Sequence, residues 1–173
     1  MLETTLTLRD GRRVRVRSIR PSDANMDRAF FAGLSRKSRY LRFMQLLSEL
    51  TPQLVQQFTQ IDASREMALV ALDDAADEVI VGIARYVAAT REEGESGEFA
   101  IVIADAWQRN GLGRALMELL IDGARRRGLR RLTGSILAVN TSMRELAIAL
   151  GFALHVDPDD ARHLIATLEL VPG

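Results

Sequence analysis

The sequence predicts a mixed α/β (α+β) fold: a mostly antiparallel sheet of about seven strands, flanked by helices and built around one central strand–loop–helix unit. Three observations carry that prediction. Short apolar runs bounded by turn residues recur along the chain, as strands do. Residues 112–124 switch to helical periodicity. Between an apolar strand pattern at 99–104 and this helix lie two glycines, in Gln108-Arg109-Asn110-Gly111-Leu112-Gly113.

Residues 4–8 and 12–20 read as a hairpin turning at Asp10-Gly11, an N-terminal unit of about residues 4–20. Val14, Val16 and Ser18 alternate with Arg13, Arg15 and Arg17, which leaves one face wet. Pro21-Ser22 ends the second strand, and Ser22 is the expected cap of a helix running to about Leu34. A second helix is expected over about 38–47. Thr51-Pro52 gives a cap followed by proline at the first helical position, with Leu54, Val55 and Phe58 inward. Residues 67–72 and 78–88 read as strands joined at Asp73-Asp74, 91–97 as a polar loop and 98–104 as the next strand. The long helix sets Leu112, Leu116, Leu119 and Gly123 on one face, and Gly128 stops it. A strand at 132–139, a helix at 141–150 and a hairpin of 152–156 with 163–170 complete the chain.

At 173 residues, with 47% hydrophobic and 27% charged residues, the composition is that of a globular domain, expected to span 1–173. No apolar run reaches the ~18 residues of a membrane span, and the start lacks a signal-peptide core. Cysteine is absent, which removes disulfides and thiolate chemistry. Only His155 and His163 are present, so no metal site is expected. A formal net charge of zero gives no global attraction to nucleic acid or to an anionic membrane, and a cytoplasmic location is expected. Lys37 is the only lysine, a bias that arginine-favouring codon usage explains.

Two glycines at the mouth of a helix let the backbone bend tightly and bare N–H groups at the positive end of the helix dipole. Such a turn binds phosphate. It is not a P-loop, because Arg114-Ala115 stands where Lys-Ser/Thr is needed. Nor is it a dinucleotide fingerprint, because Leu116 occupies the third small position.

The loop resembles the Gln/Arg-x-x-Gly-x-Gly/Ala turn of the GNAT N-acetyltransferases, which holds the pyrophosphate of coenzyme A. Asn140-Thr141-Ser142 followed by Leu150-Gly151-Phe152 is similar to a second signature of that superfamily, and Ile19-Arg20-Pro21-Ser22-Asp23-Ala24 to its opening. The resemblance covers about residue 12 to the end. It sharpens at Phe30-Phe31, Leu34-Ser35, Ser38-Arg39-Tyr40-Leu41-Arg42-Phe43, Leu50-Thr51-Pro52, Thr59-Gln60-Ile61-Asp62 and Arg65-Glu66-Met67-Ala68-Leu69. With Gly97-Glu98-Phe99-Ala100 and Asp105-Ala106-Trp107-Gln108, the chain resembles the GNAT domain of bacterial protein lysine acetyltransferases. Many of those are fused to an acyl-CoA-synthetase-like or nucleotide-sensing module.

The resemblance implies acetyl-CoA as co-substrate, a primary amine as acceptor, foremost a protein lysine, and a monomer or homodimer. It implies Glu98 as the general base, and a carbonyl-polarising backbone N–H within 99–103, at Ile101, Val102 or Ile103. Gln108, Arg109, Asn110, Gly111, Leu112, Gly113 and Arg114 would hold phosphate, and Asn140 would contact the cofactor arm while capping its helix. Many relatives carry a tyrosine seven residues after that asparagine to protonate the leaving thiolate; here it is Ala147, so no general acid is assigned. Tyr40 and Tyr86 are read as packing residues, and Trp107 as an anchor beside the loop. Arg125, Arg126, Arg127, Arg130 and Arg131 read as cations favoured at a helix C-terminus, ahead of a 3′-phosphate or nucleic-acid site. Glu92, Glu93 and Glu95 read as a solvated loop. A small-amine acetyltransferase and a non-catalytic acyl-CoA sensor are the alternative functions.

Overall fold

A computed structural model describes residues 2–89 and 95–170. One sheet holds β1 (Glu3–Thr7), β2 (Arg13–Ser18), β3 (Glu66–Asp73), β4 (Ile80–Ala88), β5 (Ser96–Ile103), β6 (Arg131–Leu137), β7 (Ala153–Val156) and β8 (His163–Glu169), in the order β1-β2-β3-β4-β5-β6-β8-β7. Only β5 and β6 run parallel; every other neighbouring pair is antiparallel. All eight strand runs read from the sequence, the N-terminal hairpin included, join this one sheet. β2 pairs with β3 from Val14↔Asp73 to Ser18↔Leu69.

The sequence of β3 explains why helices cover both faces. Met67 to Leu72 are apolar at every position, and all are buried. Alternate side chains of a strand go to opposite faces, so such a run needs cover on both. Met67, Leu69 and Ala71 share a core with α4 (Leu112–Arg126) and α5 (Thr141–Ala149). Ala68, Val70 and Leu72 share the other with α1 (Ala24–Gly33), α2 (Arg36–Phe43) and α3 (Pro52–Thr59). On α4 the buried positions are Leu112, Leu116, Met117, Leu120, Ile121, Gly123 and Ala124, while Leu119 is only partly covered.

Helix boundaries follow local chemistry, with two corrections: α2 runs Arg36–Phe43 rather than about 38–47, capped by Ser35 and stopped at Met44 in left-handed backbone (φ +58°), and the expected cap of α1 is not used. Thr51 Oγ1 accepts the Leu54 N–H at 3.2 Å and Pro52 opens α3, as expected. Gly128, at φ +78°, follows α4. Ser22 does not cap α1. A short turn, Pro21–Asp23, precedes that helix, and Asp23 Oδ2 accepts the Arg20 N–H at 2.8 Å. Arg17 reaches across from β2 and grips both Asp23 oxygens at 2.7 and 2.8 Å. Asp23 stands at the N-cap of α1, and these three donors, none of them in the helix, hold its carboxylate, so no side chain caps α1.

Candidate active site

β5 and β6 stay paired over only three positions, Ser96↔Arg131, Gly97↔Leu132 and Glu98↔Thr133. Past Glu98 they part. β5 remains on β4 as far as Gly82↔Ile103, and β6 remains on β8 as far as Leu137↔His163. The Phe99 ring stands in the fork: a Cβ on Gly134 would lie 2.5 Å from it, and the ring packs on Phe152 at 5.1 Å between centroids. Among the described residues, one edge of 99–103 therefore has no strand partner.

β5 runs into a short turn, Asp105–Trp107, and then the glycine loop. Arg109 (φ +62°) and Gly111 (φ +89°) both adopt left-handed backbone. For a non-glycine residue this costs of order 1 kcal/mol or more, and such strain clusters at functional loops. Gly111 is the N-cap of α4 and no side chain caps it. Among the described residues, no protein oxygen accepts the N–H groups of 109–114. The turn thus presents a run of free donors at the positive end of a 15-residue helix.

A polar lattice fixes this turn to α2. Gln108 Nε2 donates to the Ile103 carbonyl at 3.0 Å and to Ser38 Oγ at 3.3 Å. The Asp105 carboxylate accepts from Ser35 N–H (3.1 Å), Ser35 Oγ (2.7 Å) and Ser38 Oγ (3.1 Å). Partial burial works to raise its pKa, but the hydrogen bonds from Ser35 and Ser38 prevail and hold it below the ordinary aspartate value. Sequence reasoning missed Ser35, Ser38 and Asp105. Ser35 and Ser38 form a visible capping pattern, whereas their tie to Asp105 spans elements far apart in the chain.

Glu98 is exposed and occupies the last paired position before the fork. By strand alternation it shares a face with Ala100 and Val102, the face covered by α1–α3. Arg42 of α2 lies near enough for the charge of Glu98 to act on it. Burial lowers the Arg42 pKa to about 10 and Arg85 adds to this, with Asp27 and Glu98 opposing. Asp27 is 3% exposed, its Oδ2 meets no donor, and burial raises it to about 6 against Arg85, Arg42 and Arg28. Arg85 pairs with Glu66 at 3.2 Å.

Ile101 and Ile103 turn their side chains towards the α4 core and Val102 towards the other, and all three are only partly buried. Leu112 is fully buried, 1% exposed, so it offers a ligand only its main chain. Gly113 has room for a methyl, the nearest atom being Leu146 Cδ2 at 3.5 Å. Arg114 is tied to Glu118 at 2.8 Å. Asn140 stands across the fork just beyond β6, and its Oδ1 accepts the Met143 N–H at 3.2 Å, capping α5.

Ala147 is fully buried. Tyr86 is buried as expected, its hydroxyl accepting from Arg127 at 3.2 Å. Tyr40 is 36% exposed rather than packed, because its place on α2 faces outward. The arginines after α4 are largely engaged: Arg125 with Asp122, Arg130 with Glu95, Arg131 with Glu169, and Arg127 with the Glu66 carbonyl. Glu92 and Glu93 lie outside the described residues. His155 and His163 sit on the outer strands β7 and β8, and Trp107 is half-buried. Among the described residues, no group of three or more His, Cys, Asp or Glu is placed to hold a metal, and no helix is long and apolar enough to cross a membrane.

The model of the acetyltransferase (GNAT) family matches residues 36–152, more than half of the chain. The chain belongs to the GNAT family. It is 43% identical over 165 residues to the acetyltransferase PA5475 of Pseudomonas aeruginosa, covering 95% of this chain and 88% of that protein. Among solved structures it is similar to the GNAT domain of S. lividans PAT, with a TM-score of 0.88 and 26% identity over 97% of both chains. In fold it also matches a GNAT phosphinothricin acetyltransferase from Sinorhizobium meliloti solved with AcCoA, with a TM-score of 0.75 and 19% identity over 92% and 90% of the two chains. As a GNAT acetyltransferase the protein uses acetyl-CoA. The unpaired edge of 99–103 and the free donors of 109–114 suit the amide-bearing arm and the diphosphate of that molecule.

Proposed function

We propose that this GNAT acetyltransferase passes the acetyl group directly to a primary amine, the side chain of a lysine in a protein, with Glu98 as general base. One observation carries the reading: the exposed Glu98 carboxylate stands where the sheet opens, on the same strand that leads to the donor-lined turn. With no cysteine in the chain, transfer through a thioester on the enzyme is excluded.

Bound acetyl-CoA supplies an electrophilic thioester carbonyl and a thiol leaving group of ordinary pKa near 8.5. A lysine-type amine has a reference pKa near 10.4, so at pH 7 only about one molecule in a few thousand is neutral. Glu98 takes the proton from the amine, directly or through one water. A main-chain N–H on the open edge of the 99–103 segment, at Ile101 or Ile103, polarises the carbonyl, whereas Val102 turns its N–H to β4. The amides of Arg109, Asn110, Gly111, Leu112 and Gly113, steadied by Gln108, hold the diphosphate, and Asn140 lies beside the cofactor arm. Ala147 leaves the thiolate without a dedicated acid, which a thiol of this pKa tolerates.

Two features favour a protein lysine over a small amine. The sequence resemblance to bacterial protein lysine acetyltransferases runs through residues 30–69 and 97–108, and the fold matches the GNAT domain of S. lividans PAT over 97% of both chains. An exposed base also accepts a side chain projecting from a folded partner. Thiol release from acetyl-CoA, measured with folded proteins, polyamines and amino acids, tests the assignment. Release with proteins, accompanied by acetyl-lysine in their peptides, is the expected result. Release with small amines alone would remove the acceptor assignment, and CoA uptake without release would leave a sensor.

A further inference from the structure

The tip of the N-terminal hairpin is docked on the glycine loop. The tip is closed by Leu8 N–H to the Arg12 carbonyl (2.8 Å) and Gly11 N–H to the Leu8 carbonyl (3.0 Å), with Gly11 at φ +87°. Arg12 works as the rivet. Its Nη2 donates to the Ala106 carbonyl at 2.9 Å, its guanidinium lies 3.9 Å over the Trp107 ring, and Asp10 neutralises it at 2.6 Å. The Arg9 N–H donates to the Asn110 carbonyl at 3.3 Å, inside the loop itself.

That leaves the Arg9 side chain. It runs past Gly111, with Nε 3.6 Å and Cγ 4.0 Å from the place a Cβ would take. It is exposed, and among the described residues its guanidinium has no carboxylate or carbonyl partner. The nearby acids are already committed, Asp10 to Arg12, Asp105 to the two serines and Glu118 to Arg114. An unpaired cation therefore sits at the positive end of α4, next to a run of unfilled N–H donors. Left alone, this arrangement is electrostatically unfavourable, and an anion reverses its sign. The hairpin also lies outside residues 36–152, the segment that the family model matches.

We propose that Arg9 is a phosphate ligand of the CoA substrate, brought by the hairpin over the turn whose amides hold the diphosphate. The proposal rests on the reading of that turn given above. A guanidinium meets phosphate oxygens in two parallel hydrogen bonds, which amides on the opposite side leave free to form. Arg12 and Trp107 fix the approach, so the hairpin serves as a second wall of the nucleotide site.

Calorimetric titration of the intact protein with CoA and with 3′-dephospho-CoA tests this, using wild type, Arg9→Ala and Arg9→Lys. Arg9→Ala is expected to weaken CoA binding about tenfold, Arg9→Lys by less, with the salt dependence of binding shallower in the alanine variant. An equal loss with dephospho-CoA assigns the contact to the diphosphate; a loss seen only with CoA assigns it to the 3′-phosphate, and either supports the proposal. CoA affinity within twofold of wild type and an unchanged salt dependence in Arg9→Ala would overturn it while leaving the turn intact. Wild type that takes up neither compound would bring down the turn and Arg9 together. Melting temperatures of the two variants within a few degrees of wild type exclude misfolding, as expected for an exposed side chain.

Discussion

Replacing Glu98 with glutamine removes the proposed base and little else. The side chain is exposed, and no described donor is hydrogen-bonded to it. Its backbone is held by Val87 on one side and Thr133 on the other, so the strand survives. Stability should shift by less than about 0.5 kcal/mol, the usual scale for a surface change. The effect on rate is different in kind. General base catalysis contributes about 10²- to 10⁴-fold, and a solvent-exposed carboxylate belongs near the lower figure, because water competes for the proton. Turnover near pH 7 should fall about 10²-fold, or about 2.7 kcal/mol in barrier. The deficit should narrow as pH rises towards the amine pKa near 10.4, where the acceptor loses its proton unaided. Initial rates of thiol release from pH 6.5 to 9.5, with CoA affinity measured in parallel, make the assay. Activity within threefold of wild type at pH 7, or an equal deficit at every pH, would refute Glu98 as the base.

Three further outcomes follow from the geometry. Gly113→Ala should bind CoA nearly as wild type, since the nearest atom to the new methyl is 3.5 Å away, whereas Gly111→Ala should bind more weakly, being forced to hold φ +89°; calorimetry distinguishes them. Asp27, raised by burial to about 6 from 3.8, destabilises the fold once ionised, so its contribution falls as pH rises from about 4 to about 6 and is level above that. The shift is on the order of 3 kcal/mol at most, and Asp27→Asn should remove this slope from the difference between chemical denaturation curves at pH 4 and pH 7. Asp23→Ala should cost about 3 kcal/mol or more by leaving the part-buried Arg17 without its carboxylate, read as a drop in denaturation midpoint at pH 7.

The sequence by itself determined the element order, the place of the glycine turn ahead of α4, the Thr51-Pro52 start of α3 and the stop at Gly128. These are local facts: a missing Cβ, a fixed proline φ, a hydroxyl three residues from an N–H, a change of apolar period. Tertiary structure decided the rest. At the fork between β5 and β6 the Phe99 ring packs over Gly134, a contact between two strands with a whole helix between them in the chain. Ser22 falls inside the turn before α1 rather than at its cap, and Arg17 holds the Asp23 carboxylate from β2. Tyr40 points outward and Arg9 lies over Gly111 for the same reason. Which side chain reaches which depends on how separate elements stack, and periodicity along one element carries no record of that.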